Sequence, residues 1–463
     1  MTSGTKAGLW LGELKATLSL VWPMVLTNLA QTLMGATDVY FLGMLGPDAL
    51  AAGAVGGNIY YLTFFLGLGF VLAVAPVLAK EIGENRHEVR RVRQTVRHGF
   101  WLAALMPVPL WAVLWHGEQV LVASGQKPQI AALAGQYLHM LMWANMPYFA
   151  YIVLRNFISV FERPRAAMVI SLAAIALNAV LNWVFIFGNL GFPAMGIAGS
   201  GLATTVASTA MFLALAAYVQ IDRRFRRYRL FGRIWRLNAA QFAHLLRLGS
   251  SIGMLLLFET ALFAVSGLVM GTIGRDSIAA YFVALQFASI TFMIPLSLGQ
   301  AATVRVGLAY GGRDRPGILR AGWVSFWLSN AFMAISALVF LIFPNQLIGI
   351  FIDRTDPAAA PVYALAVAFL AYAALFQLVD GAQAVGCGML RGLQDTRVPL
   401  ILGGIGYWLI GMPLGLWLAF PIGLEGRGIW LGLAAGLAFV AVTVMWRWVK
   451  VTGRLEATAT PLA

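Results

Sequence analysis

"LGPDALAA" (Leu45 to Ala52) and "IGRDSIAA" (Ile273 to Ala280) stand 228 residues apart and carry the same order of Gly, Asp and paired Ala. Sliding the chain over itself by that distance, without a gap, brings Gly43 onto Gly271, Gly46 onto Gly274, Asp48 onto Asp276 and Gly83 onto Gly311. A shift of 232 brings Arg165 onto Arg397 and Gly196 onto Gly428. A register that persists over tens of positions marks an internal repeat, so the two halves are expected to share one fold.

Composition says what that fold is made of. Of the 463 residues, 60% are hydrophobic and only 11% are charged, against about a quarter charged in a soluble domain. Apolar stretches long enough for a helix to cross a bilayer, roughly 20 residues, recur near 14–40, 48–79, 98–117, 130–156, 166–188, 196–220, 243–271, 277–308, 320–343, 359–389, 398–420 and 428–449. The sequence predicts an all-α integral membrane protein of about twelve spans. The N-terminus has no short apolar core with a cleavage motif, so no segment is expected to be removed. The lone Cys387 gives neither a disulfide framework nor a metal site and reads as a small packing residue.

Six spans per repeat is an even number, so both halves enter the membrane in the same direction. Two six-helix bundles related by a pseudo-two-fold axis along the membrane normal follow, as in transporters built from parallel repeats. The expected lobes are residues 1–221 and 242–463, joined by an arginine-rich linker at 222–241.

The net charge of +14 raises nucleic acid as a partner, and "DRRFRRYRLFGRIWR" (Asp222 to Arg236) interleaves arginine with Phe225, Tyr228, Phe231 and Trp235. The distribution of charge argues for lipid instead. With a cytoplasmic N-terminus, nearly all Lys and Arg fall on the cytoplasmic side, and only Lys127, Arg275, Arg354 and Arg427 fall opposite. That is the positive-inside asymmetry, and it places the linker against anionic headgroups. A multi-pass protein of a bacterial inner membrane is expected, monomeric, with both termini cytoplasmic.

Three acids lie well inside the spans: Asp38, Glu259 and Asp380. Each costs roughly 2.5–3.5 kcal/mol at mid-helix, and such residues usually mark an ion or substrate path. By position in the spans, no Lys or Arg stands at the same depth to neutralise them. A protonated carboxyl that merely fixes packing is the competing role. The surroundings are polar, however: Asn28, Gln31, Gly35 and Asp38 form one helical face, as do Ser171, Asn178 and Asn182. Gln286, Met293, Ser297 and Gln300 line another, and Gln377 and Asp380 a fourth. Faces of this kind line a water-filled cavity. Under the 228 shift Gln31 meets Glu259 and Asp38 meets Ser266, so each half keeps a polar pair seven residues apart with the acid at a different member. Pro23 permits a kink in the first span. Gly388 with Gly392, and Gly196, Gly199 and Gly201, read as close-packing surfaces.

Over nearly its full length the chain resembles the MATE multidrug and toxin extrusion transporters, in their NorM-like bacterial branch. Trp22-Pro23 with Asp38, "LNAVLNWVFIFG" (Leu177 to Gly188), Glu259, and "VDGAQAVGCGMLRGLQDTR" (Val379 to Arg397) carry the resemblance. It implies drug efflux by antiport against Na+ or H+, without a cofactor. It assigns Asp38, Asn178 and Asn182, with Thr204 nearby, to an ion-responsive site in the N-lobe, and Glu259 with Asp380 to a cation site in the C-lobe. Phe376 departs from relatives with tyrosine four residues before the tenth-span aspartate, which removes one hydroxyl ligand.

The expected activity is export of amphipathic, often cationic compounds. Sodium favours hard oxygen ligands, which Glu259 and Asp380, or Asp38, Asn178 and Asn182, could offer; a proton needs only a carboxylate. Gln31, Gln286, Met293, Phe376 and Gln377 are the candidates for a substrate cavity, since Met and aromatic surfaces repack around many shapes. A flippase for a lipid-linked precursor is the nearest rival, but it wants a cationic cavity for pyrophosphate. An enzyme such as a prenyl transferase would cluster carboxylates around Mg2+, and a channel would need a ring of equivalent groups; isolated acids on diverged repeats match neither.

Overall fold

The structure is a computed structural model that describes residues 6–232, 235–354 and 356–457. Residues 233 and 234 of the linker, and 1–5 and 458–463 of the termini whose sidedness the charge pattern predicts, lie outside the described residues. The first half comprises α1 (Lys6–Leu45), α2 (Pro47–Leu72), α3 (Val74–Glu84), α4 (Val89–Leu105), α5 (Pro107–Trp115), α6 (Gly117–Ala123), α7 (Pro128–Leu141), α8 (Asn145–Val160), α9 (Arg165–Phe187) and α10 (Ile197–Ile221). After the short α11 (Arg223–Arg226) come α12 (Ala239–Ile273), α13 (Arg275–Gly311), α14 (Arg315–Ile342), α15 (Pro344–Ile348), α16 (Ala360–Gly392), α17 (Arg397–Gly404), α18 (Met412–Ala419) and α19 (Gly426–Ala457).

The protein is an all-α integral membrane protein. Among the described residues, eleven helical stretches are long and apolar enough to cross a bilayer. The stretch expected at 130–156 is not among them: α7 and α8 are separated by a turn of 3-10 helix at Met142–Ala144, just before Pro147. In hydrocarbon every backbone polar group must be satisfied internally, which leaves helices as the economical solution for such sequences. The repeat is visible element by element. "LGPDALAA" spans the junction of α1 and α2, and "IGRDSIAA" that of α12 and α13, with Asp48 and Asp276 each in a first helical turn. Arg165 and Arg397 open α9 and α17.

The chain divides into two compact units, Trp22–Leu257 (the N unit) and Met1–Val21 with Phe258–Ala463 (the C unit). The division falls inside α1, one residue before Pro23, and inside α12, rather than in the arginine-rich linker. Through Pro23 itself α1 remains a continuous helix. Proline removes one backbone donor, and the Thr27 hydroxyl donates to the Pro23 carbonyl at 2.8 Å in the following turn.

Within the N unit, α10 packs against α7, α8 and α9. Gly199 and Gly201 allow this: a Cβ there would stand 2.6 Å from the Phe185 carbonyl carbon and 2.6 Å from the Tyr137 carbonyl oxygen. Small residues let membrane helices approach closely enough for backbone packing to hold them. Within the C unit, α16 packs against α13, α14 and α19, with Gly388 against Gly299. The first part of α1 is fastened there by Glu13, which accepts two hydrogen bonds from the Arg305 guanidinium, at 2.8 and 2.7 Å.

Candidate functional site

The N unit builds a hydrogen-bonded cage around Asp38. Asn178 and Asn182 lie one turn apart on α9, so their side chains share a face, and both are fully buried. Asp38 Oδ1 accepts from Asn182 Nδ2 at 2.8 Å and from Asn178 Nδ2 at 3.1 Å. Asp38 Oδ2 accepts from the Thr204 hydroxyl of α10 at 2.6 Å. Asn178 Nδ2 also reaches Thr204, at 3.3 Å, and Asn182 Nδ2 reaches the Asn178 carbonyl at 2.9 Å. Three helices thus meet where three donors converge on one carboxyl group. Asn182 Oδ1 is buried without a hydrogen-bond partner among the described residues. All four residues of the expected N-lobe set are brought together.

Three tyrosines that the sequence pattern did not single out stand around this cage. Tyr60 and Tyr61 of α2 and Tyr137 of α7 are within electrostatic reach of Asp38. Gly35, one turn before Asp38, leaves room for the Tyr61 hydroxyl, which would lie 3.2 Å from a Cβ at that position. Other members of the polar faces have local partners. Asn28 accepts from Arg155 at 3.2 Å, and Arg155 is buried within α8. Ser171 bonds Tyr151 at 2.7 Å, and Gln31 lies 3.8 Å from the Met211 sulfur.

The C unit treats its acids differently. Asp380, on α16, is buried, and its Oδ1 has no hydrogen-bond partner among the described residues. Glu259, half-buried on α12, is within electrostatic reach of Asp380. The reading that no basic residue stands at their depth needs correction: the long side chain of Arg391 comes within electrostatic reach of Glu259, as a side chain of its length allows from the end of a helix. Tyr407 is a further neighbour of both acids. It sits in a π-helical segment, Ile405–Gly411, between α17 and α18, and its hydroxyl accepts from Gln383 at 2.7 Å. A phenol absent at position 376 is thus present nearby from another span. Among the described residues no three of His, Cys, Asp and Glu converge as a metal-holding group. A cation here would rely on two carboxylates with hydroxyl and carbonyl oxygens.

The substrate candidates divide. Gln286 is exposed and Met293 half-buried on α13. Phe376 is packed edge-on against Phe263 and Trp430, at ring-centroid distances of 5.9 and 5.7 Å. Gln377 is 1% exposed and accepts from Thr291 at 3.1 Å and Ser336 at 3.3 Å. In this structure both belong to the packed interior of the C unit.

The chain belongs to the MatE family, whose profile matches residues 23–184 and again 252–417, one match in each half. It is 55% identical to a Probable multidrug resistance protein NorM of Mesorhizobium japonicum over 455 residues, 98% of this chain and 97% of the relative. It is 37% identical to the Multidrug resistance protein NorM of Burkholderia vietnamiensis, covering 95% of each chain. Among solved structures, a eukaryotic MATE transporter superposes with a TM-score of 0.86 at 20% identity, over 97% of this chain and 100% of that one. An outward-facing multidrug resistance MATE transporter of the MOP superfamily gives the same score and identity over 98% and 100%. These structures share the fold.

Proposed function

We propose that the protein is a multidrug efflux transporter of a bacterial inner membrane, exporting amphipathic or cationic compounds by antiport against Na+ or H+. The names of its relatives, multidrug resistance protein NorM, support the substrate class. The observation that carries the coupling is the pair Glu259 and Asp380, two neighbouring acids in membrane helices with no hydrogen-bond donor on the buried Asp380 oxygen. Arg391 is within electrostatic reach of Glu259, and two carboxylates in low dielectric cannot both remain ionised without a second counter-charge. A proton or a sodium ion supplies it, and exchange of that cation during the cycle couples transport to the gradient. One elementary charge crossing the membrane contributes roughly 2.3 kcal/mol per 100 mV.

Asp38 with Asn178, Asn182 and Thr204 acts as the second ion-responsive site, and Pro23 as the joint through which α1 responds. Gln31, Gln286 and Met293 are the first substrate contacts; Phe376 and Gln377 join them only when the C unit repacks. The lobes of the transport cycle are the repeats, 1–221 and 242–463, with the 222–241 linker and both termini cytoplasmic. Proteoliposomes loaded with a fluorescent amphipathic cation test the proposal under an imposed Na+ gradient and, separately, an H+ gradient. One of the two is expected to drive dye movement. Movement that ignores both would sink the antiport reading.

A further inference from the structure

The alternation of arginine and aromatic residues in "DRRFRRYRLFGRIWR" has a structural outcome. Phe225 and Tyr228 turn inward and are almost fully buried. They pack on Phe157 and Phe161 of the α8 end, with ring-centroid distances of 5.3 to 5.6 Å. Phe231 stacks on Phe100 at 5.4 Å. With the aromatic side chains used as anchors, the arginines are left outside: Arg163, Arg223, Arg224 and Arg227 are all exposed. Together with Phe161 and Phe225 they line a cavity of about 370 Å³.

Among the described residues no carboxylate forms an ion pair with these arginines. Arg163, Arg223 and Arg224 have no side-chain hydrogen bond or ion pair among the described residues, and Arg227 donates only to the Tyr228 hydroxyl, at 2.9 Å. Asp222 accepts from the Arg224 backbone N–H at 2.9 Å, and Glu162 has its own partner. Guanidinium groups are planar forks matched to phosphate oxygens. The position favours a lipid as the source of that phosphate. The cavity adjoins the end of a membrane-spanning helix, where Ile221 is 77% exposed, and Trp235 beyond it is 73% exposed. Apolar side chains bared beside a basic cluster at a helix end suit the headgroup boundary of a bilayer.

We propose that Arg163, Arg223, Arg224 and Arg227 form a binding site for the phosphate of an anionic phospholipid, holding the linker to the leaflet surface. Native mass spectrometry of the full chain in detergent, titrated with dioleoyl phosphatidylglycerol or dioleoyl phosphatidylcholine, tests it. The wild type is expected to hold the anionic lipid more tightly, and Arg163→Gln with Arg224→Gln to lose roughly tenfold in that affinity. A control with the same change in charge, Arg86→Gln with Arg90→Gln, should retain it. Equal losses in both double variants would reduce the effect to general charge and overturn the site. Binding of soluble glycerol phosphate as tight as that of the lipid would overturn the lipid assignment. Should the glutamine pair fail to fold, Arg163→Lys with Arg224→Lys decides: it keeps the charge but loses the forks, and unchanged affinity would contradict the site.

Discussion

The two halves of the chain carry one repeat, yet the N unit and the C unit hold their membrane acids in opposite ways. Asp38 receives three side-chain donors from α9 and α10. Asp380 keeps a buried oxygen with none, beside a second acid, Glu259. A hydrogen bond to a charged group contributes about 1.5–3 kcal/mol, whereas an unsatisfied buried polar group costs about 1–3 kcal/mol. The N unit therefore meets its acid with hydrogen bonds from within the protein. In the C unit Asp380 is left without a donor, and there the proposed coupling cation or proton would act. The same geometry can store a charge or demand one, depending on whether the facing helix offers donors.

Four substitutions sharpen or break this comparison. The largest effect is expected from Asp380→Asn, which removes the unpaired charge: ion-driven efflux in proteoliposomes should fall to the protein-free level while the purified protein remains monodisperse. Asp38→Asn comes next. The amide keeps an acceptor for the asparagines but cannot be ionised, so drug resistance in cells should be lost with membrane expression retained; full resistance would remove Asp38 from coupling. Thr204→Val deletes the donor to Asp38 Oδ2, and the cage should lose about 1–3 kcal/mol of stability, read as a lower melting temperature. The corresponding loss is not expected for Asp380→Asn. Smallest is Asn182→Ala, which leaves Asn178 and Thr204 on the carboxylate. It should cost about 0.5–1.5 kcal/mol and lower efflux without abolishing it.

Sequence made part of this contrast legible. Asn178, Asn182 and Asp38 are polar residues at helical spacing in otherwise apolar spans, and the cost of placing such groups in hydrocarbon means that they face the protein interior together. Thr204 was reachable only through family resemblance, because a threonine in a membrane helix ordinarily satisfies its hydroxyl on its own backbone, as Thr209 does toward Thr205. Tyr60, Tyr61 and Tyr137 gave no signal, since amphipathic tyrosines are scattered through membrane proteins. Tyr407 was hidden by local geometry: the π-helical turn at Ile405–Gly411 shifts which side chains share a face, so a regular helical period misplaces it. Arg391 stands just beyond the expected span 359–389, and only its side-chain reach brings it toward Glu259. The halves were plain from the repeat, but division of the compact units inside α1 and α12 depends on packing that no linear pattern records.

Glu259→Gln probes the contrast most directly, because the variant removes one of the two neighbouring acids with little change in shape. Melting temperature and ion-driven transport should be measured on the same purified sample. If the C unit carries an unmet charge, the variant will melt at or above the wild-type temperature and show no ion-driven efflux. A variant that melts lower while each folded molecule transports as the wild type does would make Glu259 a packing residue and contradict the account.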